Sequence, residues 1–200
     1  GKVDLRLADF ERHQIERNAG YKLEKGCLYM VPLTERLNLP QGRQAVTDAK
    51  SATGRLDQLT RVITDQGTEF YRIPPGYQGQ LYAEICPRSF SVLVRPGMRL
   101  NQIRFRSGQA ILSDSELLEL HQTETLVNGP AIIDDGLGFS VDLKPRQDSL
   151  VGYRAKPHTG VIDLEQIGAY EPADFWEELH SRNGQIILDP GAFYILVSQE

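Results

Sequence analysis

Two hundred residues with 40% hydrophobic and 24% charged side chains suffice for one sizeable core, or for one domain and the start of another, and exclude a disordered chain. No apolar run of about 18 residues is present, which excludes a membrane-spanning helix; no basic-then-apolar leader opens the chain either. It begins at Gly1 rather than Met, which reads as an incomplete natural N-terminus.

The net charge of −5 hides an asymmetry. Nine basic side chains stand against four acidic ones between Lys50 and Arg106, and eight of the nine are arginine. The planar guanidinium fork suits phosphate. The acidic remainder argues against a nucleic-acid partner, which needs a broader basic surface, and leaves a small polyanion as the better match. Cys27 and Cys86 have no metal-ligand spacing and read as two reduced thiols of a cytoplasmic protein.

Residues 21–110 read as β structure. Val31-Pro32, Leu39-Pro40 and Ile73-Pro74-Pro75-Gly76 punctuate short apolar stretches. Leu81 to Cys86 alternates with period two, placing Leu81, Ala83 and Ile85 on one face and Tyr82, Glu84 and Cys86 on the other. Phe90 to Val94 and Leu100 to Phe105 are further strands, separated by Pro96-Gly97. Such spacing predicts a sandwich, barrel or jelly roll. Beyond it, Ser113-x-x-Glu116 is a capping box that opens a helix to about Gln122. Pro172 starts a second helix through Phe175, Trp176 and Leu179, which Asn183-Gly184 stops. Asn128-Gly129 and Asp134-Asp135-Gly136 read as turns among strands, so the stretch from about 107 to 186 is a mixed α/β extension.

One internal repeat bears on organisation. Leu23-Glu24-Lys25-Gly26-Cys27-Leu28-Tyr29 resembles Leu188-Asp189-Pro190-Gly191-Ala192-Phe193-Tyr194, an offset of 165 residues at which Glu35 and Glu200 also match. The expected organisation is a β domain over 1–110, an extension over 111–185, and the start of a second, truncated β repeat over 186–200.

Two segments carry candidate chemistry. In Lys50-Ser51-Ala52-Thr53-Gly54-Arg55-Leu56, small residues let backbone amides approach a ligand, Ser51 offers a hydroxyl, and Lys50 and Arg55 bracket the stretch with charge. The Walker order is absent, and an ordinary polar turn would also account for it. Tyr71-Arg72-Ile73-Pro74-Pro75-Gly76-Tyr77-Gln78-Gly79 is a hairpin able to present backbone and the Tyr77 ring to a planar base; Glu84 lies in the strand that follows.

Together with Arg95-Pro96-Gly97-Met98, these segments resemble the motifs of the dCTP deaminase family, a branch of the dUTPase-like superfamily. The tandem-domain bacterial type is the nearest form, and the resemblance spans essentially the whole chain. It implies a mainly β fold, a distorted jelly roll of the dUTPase-like type, and hydrolytic deamination of dCTP to dUTP without zinc. By position it implies that Glu84 is the general base, that Ser51 holds the attacking water, and that Arg55 belongs to the same loop. Arg72 falls beside the hairpin that receives base and sugar, and Lys50 and Tyr77 are candidate substrate contacts. Gln102 matches a dUTPase-type glutamine and is a candidate ligand contact. Three positions depart from the pattern: Ala52 replaces a serine, Tyr71 a histidine and Pro74 an aspartate.

A carboxylate can take a proton from water and return it to the base, as chemistry at C4 requires. Zinc deaminases instead carry H-x-E with P-C-x-x-C. The histidines at 13, 121, 158 and 180 fit no such signature. The implied metal is Mg²⁺ carried on the substrate triphosphate. Ser51, Arg55, Arg72 and Glu84 are expected to share a pocket, completed in a trimer-like homo-oligomer. Two alternatives stay open: a dUTP diphosphatase or bifunctional enzyme, and a non-catalytic nucleotide-binding or assembly domain. Glu84 and the loss of an aspartate at Pro74 weigh against the diphosphatase.

Overall fold

The computed structural model describes Val3 and residues 19–108, 111–144 and 149–200. Gly1 and His13 lie outside the described residues. The chain forms two compact units: Gly1–Gly108 with Lys156–Phe175, and Gln109–Ala155 with Trp176–Glu200. The first is predominantly β, as expected from the sequence, and the second combines a helix with a three-stranded sheet.

The first unit holds three three-stranded sheets. In one, β2 (Tyr29–Asn38), β6 (Gln78–Pro87) and β4 (Gln58–Thr64) run antiparallel with β6 central. In another, β3 (Arg43–Ala49) lies between the short β5 (Arg72–Ile73) and β8 (Asn101–Ser107). The third joins β1 (Tyr21–Leu23), β7 (Val92–Val94) and β10 (Ile162–Asp163). Alternate residues of β4 (Gln58, Thr60, Val62 and Thr64) point inward and are buried. Val62 meets Leu39, Ala45, Ile73 and Leu81 in the core, with Leu33, Leu37 and Tyr77 packed against it.

The period-two pattern of β6 predicts one buried face, yet Leu81 through Ile85 are all buried. A central strand with Tyr82 1% exposed and Glu84 9% exposed is covered on both faces. The Ser51-to-Arg55 stretch is not an open loop but a single helical turn, α1 (Ser51–Arg55). The Gly54 amide donates to the Lys50 carbonyl at 2.9 Å, and buried Thr53 fastens the turn to the body.

In the second unit, α2 (Asp114–Thr123) begins at the expected capping box. The Ser113 hydroxyl accepts from the Glu116 amide, and the Glu116 carboxylate accepts from the Ser113 amide. Asp114 also accepts from the amides of Asp135 and Gly136, fixing the expected turn there. A three-stranded sheet places β9 (Leu150–Ala155) between β11 (Trp176–His180) and β12 (Tyr194–Leu196).

Two sequence expectations change. The helix from Pro172 is only α3 (Pro172–Phe175), and Trp176–His180 is strand instead. Asn183 and Gly184, with φ of +53° and +70°, close a hairpin between Arg182 and Gln185 rather than capping a helix. The units also divide the chain differently from the expected 111–185 and 186–200 segments. Residues 156–175 join the first unit, where β10 pairs parallel with β7 and Phe175 packs edge-on against Phe90 at 5.9 Å. Residues 186–200 lie in the second, where β12 pairs with β9 and the Glu200 carboxylate accepts from the Ser140 amide.

The sequence repeat is also a repeat of conformation. The Tyr29 hydroxyl accepts from the Glu24 amide at 2.9 Å, and the Tyr194 hydroxyl accepts from the Asp189 amide at 2.8 Å. The Cys27 amide donates to the Glu24 carbonyl as the Ala192 amide donates to that of Asp189. Gly26 and Gly191 adopt φ of +81° and +78°, which explains glycine at both positions.

Candidate active site

Glu84 sits mid-strand in β6, opposite Met30 of β2 and Arg61 of β4. The ladder therefore fixes the Cα atoms of Arg61 and Glu84 as direct cross-strand neighbours. Arg61 Nε donates to Glu84 Oε1 at 2.8 Å, and Nη2 donates to the same oxygen. Among the described residues no donor reaches Oε2. The Phe70 ring covers the Arg61 guanidinium at 3.8 Å, a cation–π contact.

A second group gathers at α1. Lys50, Ser51 and Arg55 are exposed, and among the described residues no hydrogen bond or ion pair holds their side chains. The Lys50 amide donates to the Leu100 carbonyl at 2.9 Å, and Gln102 Nε2 donates to the Ala49 carbonyl at 3.3 Å. β8 thus brings Gln102 beside Lys50. Arg72, exposed on β5, lies opposite Val46 of β3 and pairs loosely with Glu69 at 3.3 Å.

The structure places Tyr77 differently from a free substrate contact. Its hydroxyl donates to the Gln80 carbonyl and accepts from the Asp65 amide, and its ring packs on the core. Burial pushes its phenol above the ordinary range, so it stays protonated. Among the described residues no hydrogen bond or ion pair links Glu84 to Lys50, Ser51, Arg55, Arg72 or Gln102. Glu84 belongs with Arg61 and Phe70, whereas Lys50, Ser51, Arg55 and Gln102 surround α1. Sequence reasoning missed Arg61 and Phe70; the one available signal was Arg61 on an alternating strand, which acquires meaning only from its register with Glu84.

A cleft of about 400 Å³ runs behind α1, lined by Asp48, Ala49, Gly54, Asp57, Gln58, Leu59, Thr60, Tyr71 and Arg88. Tyr71 reaches it from a backbone with φ of +67°, its carbonyl accepting from the Thr47 amide. Among the described residues no three His, Cys, Asp or Glu side chains gather as a metal site, and no helix is long and apolar enough to cross a membrane.

Two family models divide the chain between them. The N-terminal domain of 2'-deoxycytidine 5'-triphosphate deaminase (DCD) matches residues 1–109, and its C-terminal domain matches 113–200. The chain belongs to the dCTP deaminase family. A crystal structure of 2'-deoxycytidine 5'-triphosphate deaminase from Agrobacterium tumefaciens is 48% identical and superposes with a TM-score of 0.91, over 99% of this chain and 60% of that one. The chain therefore spans about 60% of the length of that protein. No curated protein sequence matches it. Membership of the dCTP deaminase family agrees with the dUTPase-like fold read from the sequence.

Proposed function

We propose that the whole protein to which this chain belongs deaminates dCTP to dUTP, with Glu84 as general base. The observation that carries this reading is a nearly buried carboxylate, mid-strand, with one oxygen pinned and the other without a donor among the described residues. Glu84 takes a proton from water as the oxygen bonds to C4 and passes it to N3; the proton of the C4 hydroxyl then goes by way of Glu84 to the amine, leaving a C4 carbonyl. The C4–N bond then breaks and ammonia leaves. No zinc is required, because the carboxylate does the work that a metal-bound hydroxide does elsewhere. Mg²⁺ enters with the triphosphate as part of the substrate.

Ser51 orients the water; Arg55, Lys50 and Arg72 receive the polyphosphate and sugar; Gln102 is a base or sugar contact. The free, exposed side chains of α1 and the absence of contact between them and Glu84 among the described residues support a site completed between copies of the β domain. That is a trimer-like homo-oligomer, in the cytoplasm, with no nucleic-acid or membrane partner. Glu84→Gln in the full-length protein tests the reading. It keeps the volume but cannot accept the proton, so kcat for dCTP should fall by about 10²–10⁴-fold while KM holds. Lost affinity with normal turnover would make Glu84 a base-recognition residue. Product analysis separates dUTP, the expected product, from dUMP, which would make the enzyme bifunctional.

A further inference from the structure

We infer that Arg61 is the residue that positions Glu84 for proton transfer, and that Phe70 holds Arg61 to that task. This rests on the reading of Glu84 as base. Both Arg61 N–H groups that reach Glu84 end on one oxygen, Oε1. Arg154 meets Glu177 in the same one-oxygen way, whereas Arg95 spreads two N–H groups over both oxygens of Asp163 at 2.7 and 2.8 Å; what sets Arg61 apart is that its partner is the carboxylate read as the base. Converging on Oε1 fixes the carboxylate's rotation and leaves the lone pairs of Oε2 for a water.

The other side of the guanidinium is closed by Phe70. Phe70 is itself held, because the next residue ties to the sheet twice: the Tyr71 amide donates to the Val62 carbonyl, and the Tyr71 carbonyl accepts from the Thr47 amide. The side chain of Arg61 is 28% exposed and that of Glu84 11%. The pair therefore sits at the rim of the protein interior, with Phe70, itself 42% exposed, over the guanidinium. Displacement of a reacting group by about 1 Å costs roughly 10²-fold in rate, so the grip acts on turnover rather than on affinity.

The test compares Arg61→Ala, Arg61→Lys and Glu84→Gln in the full-length protein, with kcat and KM for dCTP and a thermal midpoint for each. Arg61→Ala should lose about 10²-fold in kcat with KM nearly unchanged, and millimolar methylguanidinium should restore part of it. Arg61→Lys, whose ammonium lacks the planar fork, should fall between. Glu84→Gln should gain nothing from methylguanidinium. Wild-type kcat in Arg61→Lys and Arg61→Ala beside an inactive Glu84→Gln overturns the positioning role and leaves the base assignment standing. A raised KM with no rescue makes Arg61 a substrate ligand and also overturns it. An active Glu84→Gln removes the base reading and this inference with it. If Arg61→Ala does not fold, Arg61→Lys decides alone: reduced kcat at unchanged KM supports the role, and unreduced kcat overturns it.

Discussion

Truncating Phe90 and Phe175, singly and together, tests whether residues 156–175 are built into the first unit. Phe90 is fully buried and Phe175 is 7% exposed, with ring centroids 5.9 Å apart at 78°. Tyr170 adds a second edge-on contact to Phe175 at 5.5 Å. Removing a buried phenylalanine costs about 3–5 kcal/mol, the transfer energy of the ring plus the cavity it leaves. Either variant alone should thus consume a large share of a domain stability of roughly 5–15 kcal/mol. The pair should not add. The second truncation forfeits an aromatic contact already lost, which contributes about 0.5–1.5 kcal/mol beyond area. The double variant should fall short of the sum by at least that amount. Urea unfolding followed by circular dichroism reads all three values. Agreement with the sum to within about 0.5 kcal/mol, the additivity of independent sites, would refute the packing of α3 against the β7 region. If the double variant is too unstable to measure, Phe→Leu at both positions supplies the same cycle at lower cost.

Two further outcomes follow from specific contacts. The Arg95 guanidinium, two N–H groups on two carboxylate oxygens, holds Asp163 down to about 2 from its usual 3.8. A depressed folded value means that this stabilisation is present above the unfolded value and lost as pH falls from about 4 towards 2. Thermal midpoints over that window should drop less steeply in Arg95→Gln than in the wild type; parallel curves would contradict the pairing. Gly191→Ala meets open space but must hold φ near +78°, so it should cost about 1–2 kcal/mol through backbone strain alone. An unchanged urea midpoint would show that the turn relaxes.

Much of the fold was legible because local chemistry and tertiary demand agree. The capping box at Ser113 satisfies helix amides whatever packs beside it, and the glycines of the repeat mark a backbone that few other residues adopt. The misread helix after Pro172 shows the limit. Asn183-Gly184 is equally a helix stop and a hairpin turn, and the pairing of β11 along β9 settled which. α1 is too short for any helical period to register, and β10 is two residues long, defined only by its partner. At the site, Glu84 and the α1 side chains were visible as residue types. The Arg61 grip was not, because it is a relation of register between strands 23 residues apart in sequence. Tyr77 shows a role the sequence did not: an aromatic in a Pro-Gly hairpin reads as a ligand platform, and the structure uses both capacities of its hydroxyl to brace the turn.

The most direct test of the central claim is the fate of dCTP with the full-length protein and its Glu84→Gln variant. The account predicts stoichiometric ammonia and dUTP from the wild type, and a variant that binds dCTP with similar affinity yet releases ammonia about 10²–10⁴-fold more slowly. Equal rates from the two proteins, or no ammonia from the wild type, would contradict it.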